Sequence, residues 1–244
     1  MELRGHNILI TGGAVRIGRA ITLELALKGA VVYCHYNKSE QEAKKLKEDI
    51  KQQGGSIHLL QADLSDVSCA EKLVDRVVER GKRLDALVNN AAIFFKTPLG
   101  MITEDQWDRL FTLNLKASFF CAQRAGQYML EHDGGKIINI GDPSAESPWP
   151  SFIPYALTKA GIVSMTKGLA KAMAPKVQVN CINPGPVMIP DYYSSEERKR
   201  AVESTLLKRE GSAEDIAVAV RFLLEGSDYI TGAVLNVDGG RSVR

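Results

Sequence analysis

None of the four cysteines, Cys34, Cys69, Cys121 and Cys181, forms a C-x-x-C pair with another. That spacing offers no redox motif and suits reduced thiols in a cytoplasmic protein. The four histidines, His6, His35, His58 and His132, also lack metal-ligand spacing, so no metal is expected. No long basic run occurs, and the formal net charge is only +2 over 244 residues. Neither nucleic acid nor an acidic membrane is therefore an expected partner. No apolar stretch approaches membrane length, and Met1 to Ile10 lack the apolar core and cleavage site of a secretion signal. Repeats and low-complexity linkers are missing as well. What is present is a chain 45% hydrophobic and 25% charged, enough for one substantial core and read as a single domain over residues 1–244.

Short β-branched runs stand at Asn7 to Thr11, Val31 to Tyr36, Ser56 to Gln61, Ala86 to Asn89, Lys136 to Ile140, Gln178 to Ile182 and Val234 to Val237. Helical patterns fill most of the gaps between them. Ser39-x-x-Glu42 and Thr103-x-x-Gln106 have the form of capping boxes, and Ser212-x-x-Asp215 puts an acid in a favourable first turn. Seven strands alternating with helices require right-handed crossovers, hence a parallel sheet covered on both faces. The expected class is α/β, a doubly wound Rossmann-type fold with a seven-stranded parallel sheet.

Thr11-Gly12-Gly13-Ala14-Val15-Arg16-Ile17-Gly18 follows the first strand. Glycines in such a turn let backbone N–H groups approach a pyrophosphate at a helix N-terminus, although a tight structural turn would look the same. At the end of the second strand, His35-Tyr36-Asn37-Lys38-Ser39 contains no acid before Glu40. A carboxylate there would favour NAD, whereas His35, Lys38 and Ser39 can donate to a 2′-phosphate, with Arg16 as a second cation nearby. NADPH is the expected cofactor; Lys38 as a solvated charge and Ser39 as a helix cap are the alternatives. Asp63-Leu64, Asn90-Ala91-Ala92 and Pro184-Gly185-Pro186-Val187 all fall at carboxyl ends of parallel strands, where such sheets bind ligands. Asp63 could equally be a turn residue.

Tyr155 and Lys159 are four residues apart in a helical segment and so share one face. An ammonium beside a phenol favours the ionised form and is expected to lower the Tyr155 pKa toward working pH. A phenol so tuned can donate a proton while a nicotinamide delivers hydride to a small-molecule substrate.

The order T-G-x-x-x-x-x-G, N-N-A-A, Asn114, Y-x-x-x-K and P-G resembles the short-chain dehydrogenase/reductase family across essentially the whole chain. The resemblance implies that Tyr155 is the proton donor, that Lys159 binds the nicotinamide ribose and lowers the Tyr155 pKa, and that Asn114 supports a proton-relaying water. It also implies a homotetramer. Three departures narrow it. Arg16 replaces the middle glycine of the loop, Asp142 stands thirteen residues before Tyr155 where a serine is usual, and Phe94-Phe95 follow the N-N-A segment. Together with His35 to Ser39 these are similar to the pteridine reductases of that family.

A pterin is a flat, nitrogen-rich ring that would stack on Phe94, while Asp142 and Arg16 complete a substrate site with Tyr155. Asp142 as a turn residue with Ser144 as the hydroxyl, Phe94 as packing, and Arg16 as a cofactor contact only are the competing assignments. The stretch from Met188 to Arg200 falls where the family carries a substrate lid. The expected function is NADPH-dependent reduction of a dihydropterin- or dihydrofolate-type substrate. Its alternatives are a carbonyl or 3-oxoacyl thioester reductase and a catalytically silent nucleotide-binding regulatory protein.

Overall fold

A computed structural model describes residues 1–243. Its sheet has seven parallel strands in the order β3-β2-β1-β4-β5-β6-β7. The strands are β1 (Asn7–Ile10), β2 (Val31–Tyr36), β3 (Ser56–Gln61), β4 (Ala86–Asn89), β5 (Gly135–Ile140), β6 (Val177–Pro184) and β7 (Val234–Val237). Central strands are apolar on both faces, Ile8, Leu9 and Ile10 being wholly buried, because helices cover both sides. On one face lie α1 (Arg16–Leu27), α2 (Glu40–Gln52) and α8 (Ala213–Glu225), whose Leu25, Leu46 and Val220 join one core. On the other lie α3 (Val67–Gly81), α5 (Ala117–Glu131) and α6 (Ile153–Met173), through Leu73, Cys121 and Met173.

The strand order reverses between β1 and β4, so the connections leaving their carboxyl ends diverge and open a crevice. Asn90 spans it: Nδ2 donates to the carbonyls of Thr11 and Gly12, each at 3.0 Å. Thr11 is not part of β1 but a fastener, its Oγ1 accepting from the backbone N–H of Asn90 and Ala91.

α4 (Glu104–Leu110) starts with the expected Thr103/Gln106 capping box, and α8 with one made by Ser212 and Asp215. The Ser39 box does not form. Ser39 has ψ 55 rather than extended geometry, and its side chain makes no cap bond, so the acids in the first turn of α2 act through the helix dipole and, for Glu40, a 2.7 Å pair with Lys44. A box the sequence reading overlooked, Ser194 with Glu197, starts α7 (Ser195–Glu203) in the expected lid. Between α4 and α5 the helix widens into a π-helical stretch, Phe111–Lys116, carrying buried Asn114. Widened turns of this kind are rare and concentrate at functional sites.

Candidate active site

The crevice leads into a cavity of about 600 Å³ lined by Gly12, Arg16, Ile17, Gly18, His35, Asn37, Lys38, Ser39, Leu64, Asn90 to Phe94, Asp142, Tyr155, Lys159 and Pro184 to Pro190. Thus the sequence-derived residues largely converge. Tyr36 packs on the core instead, and Asp63 holds the following turn by accepting from the Ser65 N–H at 3.0 Å. Neither lines the cavity.

At one end the glycine loop is shaped for a bulky anion. Gly12 has φ 62, and a Cβ on Gly18 would run into the Gly12 carbonyl oxygen and come within 2.6 Å of Asn90 Nδ2. Helix α1 begins here with no acid in its first turn and no side-chain cap on its N-cap residue. Its first N–H groups are therefore free donors beside a cradle that any side chain would fill. At the end of β2, Lys38, Ser39 and Asn37 line the same cavity with no carboxylate among them. These residues fit a dinucleotide carrying an extra phosphate.

His35 plays another part than the one read from sequence. It is 3% exposed; its Nδ1 accepts from the Gly12 N–H at 3.0 Å, which places the ring hydrogen on Nε2, 3.1 Å from the Ala62 carbonyl. Burial lowers its pKa to about 4. A neutral ring with both nitrogens committed cannot pair with a 2′-phosphate; it props the glycine loop.

In the other half, Tyr155 and Lys159 rise from α6. That helix is fixed in depth by buried amides: Asn139 on β5 donates to Thr166 at 2.9 Å and accepts from Asn89 on β4 at 2.9 Å. The Tyr155 hydroxyl donates to Asp142 Oδ2 at 3.0 Å. Asp142 is also the turn residue of the competing assignment, for its Oδ1 accepts from the Ser144 N–H at 2.7 Å and starts the short turn Pro143–Ala145. Both descriptions hold, one oxygen each. The Ser144 hydroxyl is buried without a partner among the described residues and does not replace Asp142.

The expected lowering of the Tyr155 pKa is not what the geometry produces. Burial, reinforced by the Asp142 carboxylate, pushes the phenol well above its ordinary value. Lys159 Nζ donates to the Ile140 carbonyl at 2.9 Å and stands 5.6 Å from the centre of the Tyr155 ring. Its own pKa is lowered by burial. The charge nearest the hydroxyl is therefore negative.

Asn114 is not at the cavity wall. Its side chain clamps Ile93, accepting from its N–H at 2.8 Å and donating to its carbonyl at 3.0 Å. This fixes the loop that presents Phe94. The Phe94 ring stacks on Phe152 at 4.5 Å, meets Tyr155 edge-on at 4.8 Å and Trp149 at 6.4 Å. Packing and wall are one assembly, so Phe94 serves both assignments offered for it. Tyr193 belongs to the expected lid stretch, whereas Trp149, Phe152 and Arg241 have no counterpart among the residues singled out from sequence. The run Pro148-Trp149-Pro150-Ser151-Phe152 just before Tyr155 is a signal that could have revealed Trp149 and Phe152.

Arg16, with φ 52, sends its guanidinium across the cavity to the carbonyl of Met188, itself at φ 52. It thereby joins the glycine loop to the expected lid. Lys96 Nζ meets Glu197 at 2.6 Å and lies 5.5 Å over the Tyr193 ring, a second strap from the Phe94 loop to α7.

Residues 13–242 match the family model described as Enoyl-(Acyl carrier protein) reductase. A 3-oxoacyl-[acyl-carrier-protein] reductase FabG of Staphylococcus aureus strain Mu50 is 35% identical over 238 residues, which is 96% of this chain and 97% of that protein. The structure of a short-chain dehydrogenase/reductase from Serratia marcescens superposes with TM-score 0.93 at 34% identity, covering 99% of this chain and 100% of that one. A blue fluorescent protein from a metagenomic library, solved in complex with NADPH, gives TM-score 0.92 at 33% identity over 99% of each chain.

Proposed function

Because the chain belongs to the short-chain dehydrogenase/reductase family, we propose that it is a single-domain NADPH-dependent reductase whose substrate is a pteridine of the dihydropterin or dihydrofolate type. The family's coarser activity, NADP-dependent reduction, rests on the chain-wide similarity. NADPH fits the glycine cradle of Gly12 and Gly18, with Lys38 and Ser39 on the side of the extra phosphate. When bound, it supplies the hydride.

The observation that carries the substrate class is the Asp142–Tyr155 pair beneath an aromatic wall. An anionic carboxylate only accepts hydrogen bonds and suits the N–H groups of a pterin, whereas a serine hydroxyl also donates to a carbonyl. Phe94 offers a flat ring a stacking surface. As hydride adds to the carbon of the substrate C=N bond, its π pair moves onto nitrogen. Rotation about the Tyr155 Cζ–Oη bond redirects the hydroxyl proton from Asp142 to that nitrogen, and the phenolate regains a proton from solvent at the cavity mouth. Lys159 and Asn114 position the parts, Lys159 toward a ribose and Asn114 through the Phe94 loop. Exposed Val218, Phe222 and Tyr229 around α8 offer apolar area for the homotetramer that forms part of the same proposal.

A second substrate class has its own support. The similar Staphylococcus protein is named as a 3-oxoacyl reductase, and that name favours a carbonyl substrate over a pteridine. NADPH oxidation measured with dihydrobiopterin, dihydrofolate and acetoacetyl thioesters separates the two. Turnover of pterins with poor thioester turnover is expected; thioester turnover with no reduction of any pterin would establish the carbonyl alternative. A protein that binds NADPH and reduces nothing in a broad panel would be the silent regulatory form, against which the intact Tyr155, Lys159 and Asn114 speak.

A further inference from the structure

The substrate half of the cavity holds a cation that the reduction chemistry leaves unused. Arg241 begins the short turn Arg241–Val243, and that turn is built by Asp238, whose carboxylate accepts from the Gly240 N–H at 2.9 Å and the Ser242 N–H at 2.7 Å. The guanidinium carbon lies 4.6 Å over the Trp149 ring, and the side chain lines the cavity with Asp142, Tyr155 and Tyr193. Arg198, Arg209 and Arg221 each pair with a carboxylate, but the Arg241 guanidinium forms no hydrogen bond or ion pair among the described residues. Burial lowers its pKa, yet a guanidinium stays charged at working pH. A planar fork stacked on an indole keeps its N–H edge open for a bidentate acceptor.

We infer that Arg241 determines specificity by binding a carboxylate that the substrate carries away from the ring being reduced. On the pteridine assignment above, on which this inference rests, it selects a pterin with an acidic tail over one without. The Asp142 carboxylate acts on the Arg241 charge through space but forms no ion pair with it, its hydrogen bonds going to Ser144 and Tyr155.

The test compares kcat/KM for dihydrofolate, which bears carboxylates, with that for dihydrobiopterin, which does not, in the wild type, Arg241→Gln and Arg241→Lys. The dihydrofolate-to-dihydrobiopterin ratio should fall about tenfold or more in Arg241→Gln, through a higher KM for dihydrofolate, and recover in part in Arg241→Lys. Added salt should lower the wild-type ratio and leave that of Arg241→Gln unmoved. An unchanged ratio, or an equal loss on both substrates, would overturn the inference alone, the second outcome marking an effect through Asp142. Failure of the wild type to reduce either pterin would overturn the substrate assignment itself and this inference with it.

Discussion

The Tyr155 hydroxyl and the Asp142 carboxylate are joined by a 3.0 Å hydrogen bond inside a buried pocket. Burial first, and the neighbouring anion second, raise the phenol pKa, so the proton donor proposed above holds its proton throughout the neutral range. The arrangement favours reduction over the reverse oxidation, which needs the phenolate.

The pH profile follows from that sign. The acid works only while protonated, so kcat for reduction should stay level from neutral pH to about 10 and fall only above it. Asp142→Ser removes the charge and should bring the alkaline limb to lower pH, while shifting preference toward carbonyl substrates. A limb that stays in place would mean that Asp142 does not govern the proton donor. Tyr155→Phe should cut kcat by about a hundredfold or more, with NADPH affinity measured by fluorescence titration little changed.

Cofactor choice is expected to reside in Lys38. Lys38→Asp replaces a charge-assisted contact by repulsion and should lower the NADPH-to-NADH ratio of kcat/KM by about tenfold or more. If the ratio does not move, Lys38 is a solvated charge and Ser39 or Asn37 must bear the discrimination.

His35 contributes a pH-dependent share of stability. Its folded pKa, about 4, lies below the ordinary 6.5, so the unfolded chain takes up the proton first. The stabilisation is complete above pH 6.5 and is lost as pH falls toward 4, by about 3 kcal/mol in all. Urea unfolding of His35→Gln, which cannot titrate, should show a flatter pH dependence over that interval than the wild type. Parallel curves would show that another group is responsible.

Phe94→Ala should raise the KM for a pterin by roughly 0.5 to 1.5 kcal/mol beyond lost burial, with kcat less affected. Since Phe94 also stacks on Phe152, a thermal melt of the variant checks that the wall survives.

Lys96→Met tests the strap to α7. The pair with Glu197 is open to solvent, so unfolding stability should change little. A shift in KM and kcat together, seen in steady-state kinetics, would identify it as a lid fastening.

Short β-branched runs make β2, β3, β4 and β7 legible to the residue, while the bounds of β1, β5 and β6 differ by one or two residues from where the pattern puts them. The glycine loop and the Tyr155-Lys159 helix face were legible because each depends on local spacing. His35 lines the cavity, as its place at the end of β2 suggests, but a strand buried on both sides has no polar face to show that its ring nitrogens serve Gly12 and Ala62. Ser39 looked like a cap by composition, but its backbone angles are set by what the strand end must do. The π-helical turn at Asn114 and the position of Arg241 over Trp149 depend on contacts between distant segments, and no local pattern announces them. The direction of the Tyr155 pKa was missed because Lys159 was placed by helical periodicity alone, whereas burial and Asp142 decide it.

His35 spends its ring nitrogens on Gly12 and Ala62, while Lys38 and Ser39 line the cavity from the same strand end. Anchoring and discrimination are thus separate traits carried by neighbouring residues. A descendant of this chain could exchange one nucleotide for another at Lys38 without disturbing the prop beneath the glycine loop, whereas loss of His35 would forfeit both nucleotides at once.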